Sequence, residues 1–597
     1  MSISSEKRTI LFTGYVAMGG VLTFEEFCRV ADTAKASGFT HVDLGSAMRD
    51  RSRWQLDNDG MYAPGYDFYP EYTAAFADPL KFYCPKALQG HLPVDLIKQN
   101  GAELKRRAEY LAKIGLKGAL IGAMPQFWPE SVFEEHPDWR GPRCDMPFRS
   151  RRAYFSPCVD NQEVLDVFHE AVQGMHALAP NLDTLIFQTN DSGTGFCWHK
   201  NLYPGENGPV HCKKRDMAER VMGFLRTLED AMGEGGYAYS VELGLWCYSG
   251  RLVRHPGNTH PENIWFVRPP QDKPVAFENP LGMLEELENA ANGNPDIMVI
   301  NIEQTQLFFQ SSSVYATIFQ KFRDKPTHGL AERILLLHDV IQTLQLDEGT
   351  HLLNAWLHLY RGIDDTSLRR LFYYSIFLYG CMSCRYLVRP FVPIPTRLTE
   401  EEKMYYKKHV FDSLDRQDYE LDLLNIHGLR NEYHGRTKEE AERGVICWNS
   451  ILSSLRMARA ELELAIQNAG QGSALAYLKD FDRRIRALIC FAVNLQNSEK
   501  FQAILDRAAE TGYSPRANSD VLEATMRAEL DNAQELIQIL EMPEGRLVIP
   551  LASSPEKETT FLFGPNLTEQ LRKKREIMLR YWRDSQELFQ FKNRFNQ

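Results

Sequence analysis

No run of about 18 uninterrupted apolar residues occurs in this chain, so no segment reads as a transmembrane helix. Positive charge is also short. The 68 Lys and Arg are outnumbered by 79 Asp and Glu, for a net charge of −11, and broad nucleic-acid binding needs a basic face that this balance does not supply. No G-x-G-x-x-G follows any strand-like run, which counts against a dinucleotide-binding sheet. Paired metal-binding motifs are missing as well. Cys381 and Cys384 form a lone C-x-x-C among 11 scattered cysteines, and a structural zinc needs four ligands. Reduced thiols of a cytosolic protein are the expectation, with a disulfide or structural metal among Cys144, Cys158, Cys197 and Cys212 as the alternative. The segment MSISSEKRTILFTG lacks a hydrophobic leader core. The expected location is therefore the cytoplasm, or the periplasm or exterior if a signal peptide is absent from this sequence.

What is present is alternation. At 597 residues the chain has room for about two to four domains. Over the first 310 or so residues, strand-like runs alternate with amphipathic helices. Strands are expected at Thr9–Val16, Thr40–Leu44, Gly118–Met124, the run ending at Asp191, Tyr237–Leu245 and Asp296–Glu303. Helices are expected at Phe24–Ala36 (stopped by Gly38), at Asn100–Ile114, from Asp160 to Leu178, along the stripe Met217 to Met232, and at Pro280–Ala291. Asn100 with Glu103, and Asp160 with Glu163, have the spacing of a capping box. Strand–helix alternation of this length predicts a parallel sheet with crossover helices, and so many units favour a ring over an open sheet. The expected fold is α/β: a (β/α)8 TIM-type barrel over 1–398, with Arg385–Pro395 as its last strand. Insertions are expected at 46–98, 125–159 and 192–212. A helical domain follows at 399–545, and 546–597 adds short strands and a terminal helix packed on it.

The three long insertions all follow proposed strands, so all belong to the strand-tip end, where such barrels keep their chemistry. They carry Trp54, Tyr62, Tyr66, Phe68, Tyr69, Phe127, Trp128, Trp139 and Trp198, too aromatic for disorder. Such rings read either as platforms for the apolar faces of sugars or as the core of a lid.

Carboxyl groups at strand tips carry the functional reading. LDTLIFQTNDSGTG (182–195) drives an apolar run into Asn190 and Asp191 and then breaks on glycine. Cleavage of a glycosidic bond needs two carboxyl groups, one to protonate the leaving oxygen and one to attack or to activate water. Asp191 is the candidate acid. Glu303 ends DIMVINIE and is the candidate base or nucleophile, with Asn301 two residues earlier on the same face of a regular strand. Glu242 in the apolar run YSVELGLW is the alternative second carboxyl, because a carboxylate there needs a polar mouth or a partner. Asn190, Asp43, Asn301, Trp139, Trp198 and Trp246 are candidate sugar contacts. Asp43 and His41 also read as structural groups. Arg140, Arg143, Arg149, Arg151 and Arg152 fall in one short loop. Arginine forks match carboxylates, so Arg140 and Arg143 suit an acidic sugar such as a uronate, unless they pair with nearby Asp and Glu. His199 and His211 lie in the rim segment after Cys197 and Trp198.

FQTNDSGTGFCW, followed by a Gly/Pro loop, a cysteine and a helix carrying Arg220, resembles the barrel glycoside hydrolases allied to α-glucuronidases and β-N-acetylhexosaminidases, and related uncharacterised polysaccharide-utilisation proteins. The motif spans about 185–225, and the architecture about 8–400. The resemblance implies a strand-four acid at Asp191 facing carboxylates on later strands. Hexosaminidases end that strand in Asp-Glu, whereas this chain reads Asn190-Asp191. Two other readings stand beside the hydrolase. One is a carbohydrate-binding barrel without catalysis; the other is a metal-dependent sugar isomerase or lyase, which would need several His, Asp and Glu around one ion. For the hydrolase, a carbohydrate substrate is expected, with no metal, no cofactor, no nucleic acid and no membrane. The charged helical region leaves a homodimer open.

Overall fold

The computed structural model describes residues 9–14, 22–45, 77–143, 154–188, 217–241, 264–267, 275, 277–302, 313–347, 349–364, 385–407, 438–511, 515–542, 551, 563 and 565–591. Its strands are β1 (Thr9–Gly14), β2 (His41–Asp43), β3 (Lys117–Ala123), β4 (Arg140–Arg143), β5 (Phe155–Pro157), β6 (Leu182–Gln188), β7 (Tyr237–Val241), β8 (Ile264–Val267) and β9 (Ile297–Ile302). The helices are α1 (Phe24–Ala36), α2 (Val94–Ile114), α3 (Glu130–Glu135), α4 (Gln162–Leu178), α5 (Met217–Met232), α6 (Pro280–Gly293), α7 (Val314–Asp324), α8 (Leu330–Leu344) and α9 (His351–Asp364). Beyond them come α10 (Arg385–Val388), α11 (Glu400–Lys407), α12 (Lys438–Asn468), α13 (Ser473–Thr511), α14 (Pro515–Leu540), α15 (Leu567–Arg580) and α16 (Asp584–Phe591).

Seven strands form one sheet in the order β7-β6-β3-β2-β1-β9-β8, and every pairing is parallel. The order is cyclic in sequence: β1 lies beside both β2 and β9, as in a ring and unlike a doubly wound sheet. The two faces bury different cores. Phe12, Val42, Leu120, Leu185, Phe187, Met298 and Ile300 join the large core beneath the helices. Their neighbours on the opposite face, Leu11, Ala119, Ile121, Ile186, Ile264, Ile297 and Val299, form a second cluster. Ile186 on β6 and Ile264 on β8 share that cluster although four strands separate β6 from β8 in the sheet. The sheet is therefore curled on itself. β7 and β8 are its described edges, and residues 242–263 between them lie outside the described residues. A curled α/β sheet is established; a closed eight-stranded barrel is not.

Local chemistry accounts for most element ends. Thr23 and Glu26 form the reciprocal cap of α1, with Thr23 accepting the Glu26 N–H at 3.2 Å and donating its own N–H at 3.0 Å. That helix buries Phe27, Val30, Ala31 and Ala34, and Gly38 leaves it at φ 84°. Asn279 caps α6 by accepting from Gly282 at 3.2 Å, with Pro280 in the first turn.

Three expectations are corrected, and one strand is added. α2 starts at Val94, so Asn100 lies inside it and Glu103 instead holds Arg107 at 3.0 Å. Asn161, and not Asp160, caps α4. β8 (IWFV) was not expected, being only four residues long. Arg385–Pro395 is no strand: it begins as the helical turn α10, and Leu387 and Val388 are buried against Phe491 and Leu571. Pro390, Pro393 and Pro395 remove the donors a ladder needs.

The long helices are not separated from the sheet by a gap in the packing. Leu352, Trp356 and Leu359 of α9 share one buried cluster with Trp448, Ile451 and Leu455 of α12. α12, α13 and α14 then pack in succession. No described helix is long and apolar enough to cross a membrane.

Candidate functional site

The inner face of the sheet changes character from one end to the other. At the N-terminal end β3 and β6 slip register: Gly118 pairs with Leu182 and Ala119 with Thr184, which skips Asp183. The freed carboxylate meets His41 Nε2 at 2.9 Å and Lys117 Nζ at 2.6 Å. Burial opposes ionisation of Asp183, but the hydrogen bonds from His41, Lys117 and Thr184 outweigh it and hold the carboxyl below its ordinary range. The middle of the face is apolar. At the C-terminal end it becomes polar again, with Thr13, Asp43 and Asn301, all buried, on three neighbouring strands.

Asp43 is the hub of this layer. Its carboxylate accepts from the Thr13 hydroxyl at 2.8 Å, the Gly45 N–H at 3.0 Å and the Ile121 N–H at 3.2 Å. It thereby ties the tips of β1, β2 and β3 together, a structural task. Thr13 stands opposite Asn301 in register, so the polar layer continues onto β9. Arg107 braces the same region from below, donating to the carbonyls of Leu44 at 3.2 Å and Leu22 at 3.1 Å.

The chain returns to this end at Ala77, which bridges Gly122 in parallel and so occupies the place beside β3 that β2 has vacated. Asp78 follows in extended backbone and accepts the Leu80 N–H at 2.8 Å through Oδ1. Its Oδ2 is buried with no hydrogen-bond partner. Burial pushes this carboxyl up to about 7, against the opposing pull of the Leu80 N–H and Lys81. Glu278 is a second such group, just ahead of α6. Only 3% exposed, it takes the Tyr477 hydroxyl at 3.2 Å. Burial also raises it to about 7, with Arg484 opposing and Asp480 reinforcing the shift. The sequence reading missed both acids. ADPL and ENP mark them or their neighbours as caps, but nothing local shows that the carboxyls are covered.

Other predicted site residues fall as follows. Trp139 is buried. Its ring stacks on His136 at 3.8 Å between centroids, and its Nε1 donates to Glu163 at 2.7 Å. With Phe127, Trp128, Phe133 and Phe168 it belongs to the core under the 125–159 insertion, the lid-core alternative. Arg140 lies over the rings of Phe133 and Phe155 and is held by both oxygens of Glu130, one at 3.1 Å. The backbone of Arg143 pairs with Phe155 in the β4–β5 hairpin. Asp191, Glu242, Glu303, Asn190, Trp198 and Trp246 lie outside the described residues, as do Arg149, Arg151, Arg152, His199, His211, Cys144, Cys197, Cys212 and the pair Cys381 and Cys384. Arg220, read as part of the motif, forms an enclosed ion pair with Asp160 at 2.6 Å. Among the described residues, no three His, Cys, Asp or Glu stand together as ion ligands.

No protein-family model matches the chain, and no curated protein matches it. Among solved structures it is similar to a variant of the GH36 α-galactosidase AgaA from Geobacillus stearothermophilus in complex with 1-deoxygalactonojirimycin. That likeness has 14% identity and a TM-score of 0.30, over 54% of this chain and 43% of that one. For AgaB of the same organism the values are 13%, 0.30, 53% and 42%. For the α-galactosidase of Lactobacillus brevis they are 11%, 0.21, 57% and 40%. The chain thus spans less than half the length of these enzymes. Likeness at these TM-scores carries no argument about activity.

Proposed function

We propose that the protein is a glycoside hydrolase that cleaves an oligosaccharide or glycoside at the C-terminal mouth of the curled sheet. Asp191 is the general acid, and Glu303 the base or nucleophile, with Glu242 as the alternative. One observation carries this reading: β6 and β9 run parallel in one curled sheet, and their sequences lead directly into Asp191 and Glu303. β6 and β9 therefore both finish at the end of the sheet where the inner face turns polar at Thr13, Asp43 and Asn301, and in sequence Asp191 and Glu303 follow them. Barrel hydrolases assemble carboxyl pairs from different strand tips in this way.

The acidic-sugar version loses support at Arg140, whose fork is taken by Glu130. A neutral sugar is the simpler substrate. The test is release of the aryl group from a panel of aryl glycosides, neutral and uronic. Turnover that falls at least about 10²-fold in both Asp191→Asn and Glu303→Gln, in folded protein, supports the proposal. Binding of glycosides without turnover by the parent chain would instead identify a sugar-binding protein.

A further inference from the structure

Glu278 stands where two parts of the molecule meet. It belongs to the connection between β8 and α6 and sits at the N-terminus of α6, hence at the polar end of the sheet. Its partner Tyr477 belongs to the second turn of α13, in the helical region. Tyr315, at the start of α7, completes the junction, its hydroxyl accepting the Asn279 N–H at 2.9 Å. The N-terminal ends of α6, α7 and α13 therefore converge on one buried polar point.

The charges facing that point are unbalanced. Arg484 of α13 is the nearby cation, but it is paired with Asp480 at 2.7 Å. Asp480 itself repels a negative charge on Glu278. Tyr477, raised well above its ordinary range by burial and by Glu278, stays a neutral donor. A protonated Glu278 fits this surrounding. An ionised one is a buried charge hydrogen-bonded to a neutral hydroxyl, with its nearby cation shared with Asp480, an arrangement that is disfavoured unless the site opens to water.

We propose that the Glu278–Tyr477 contact is a pH-sensitive latch between the mouth of the sheet and the long helices, closed while Glu278 keeps its proton and loosened when the proton leaves. The sign follows from linkage. In the open junction the carboxyl titrates near its ordinary 4.5, and in the closed one near 7. Closure is fully favoured below 4.5, loses about tenfold per pH unit between 4.5 and 7, and levels off above 7. The latch operates whether or not the protein hydrolyses glycosides.

Hydrogen exchange on the full chain, corrected for intrinsic rates, tests it in peptides covering 277–285 and 473–485. The opening constant should be about 10²-fold larger at pH 7.5 than at pH 5.0. Glu278→Gln, which keeps the shape and cannot ionise, should stay protected at both pH values. Tyr477→Phe, which lacks the donor, should exchange faster than the parent already at pH 5.0. Three results would overturn the latch: equal protection of the parent at both pH values, a pH-dependent rise that survives in Glu278→Gln, or a Tyr477→Phe variant as protected as the parent at pH 5.0.

Discussion

Replacing Asp78 with asparagine should stabilise the protein in neutral and alkaline solution and leave it unchanged in acid. Asparagine keeps the side-chain oxygen that accepts the Leu80 N–H but cannot ionise. The parent carboxyl titrates near 3.8 when unfolded and near 7 when folded. Because the folded value is the higher one, the native state holds the proton more tightly. That advantage is complete below 3.8, shrinks as pH rises, and is gone above 7. The difference corresponds to about 4 kcal/mol at pH 8, an upper figure because relaxation and water entry relieve a buried charge. For a domain of 150–250 residues, 1 kcal/mol moves Tm by about 2–4 °C. The variant should therefore melt up to about 8–16 °C above the parent at pH 8, and with it at pH 3.5. Thermal melts of both proteins at half-unit pH intervals give the difference curve directly. A gap that is constant with pH, or one that opens in acid, would refute the reasoning.

Two further substitutions probe the frame around the mouth. Arg220→Met should cost about 3–5 kcal/mol, because it removes the cation of an ion pair whose Asp160 side chain is 1% exposed; denaturant midpoints measure it, and Asp160→Asn in the same chain should recover part of the loss. Gly122→Ala would place a methyl group on the Ala77 carbonyl, and a melt should show about 1–3 kcal/mol lost as that strand-like return is pushed off β3.

Much of the scaffold could be read along the chain. α1 matches its expected bounds, because the Thr23–Glu26 cap, the apolar stripe and Gly38 are all local. β9 reads as a continuous apolar run because both its faces are buried, and Asp296–Glu303 anticipated it to within a residue at each end. Errors arose where two local signals competed. Asn100 and Glu103 have capping spacing, yet α2 begins six residues earlier, at Val94. Asp160 stands next to the true cap, Asn161, and serves Arg220 of another helix instead. The run at Arg385 has strand-like residues, but its apolar side chains find helices to cover them. The sequence puts Asn301 and Asp43 at strand ends, where the structure has them. For Trp139 and Arg140 the sequence leaves two readings open, sugar contact or lid core for the ring and acidic sugar or a nearby carboxylate for the guanidinium, because it does not show that His136, Glu163 and Glu130 stand beside them.

From composition and periodicity alone, the chain already specifies a sheet built of parallel strands with crossover helices and a predominantly helical second half. Those properties come from neighbours within a few residues: hydrophobic spacing, caps and glycine stops. What only the folded molecule decides is which carboxyls are covered, and by what. Asp43 is tied by donors from β1 and β3, Asp78 is covered with one oxygen unpartnered, and Glu278 meets a hydroxyl contributed from 199 positions away. The charge of an acid depends on the water removed and the partners supplied by distant segments, and these are set by how the sheet curls and where the long helices rest.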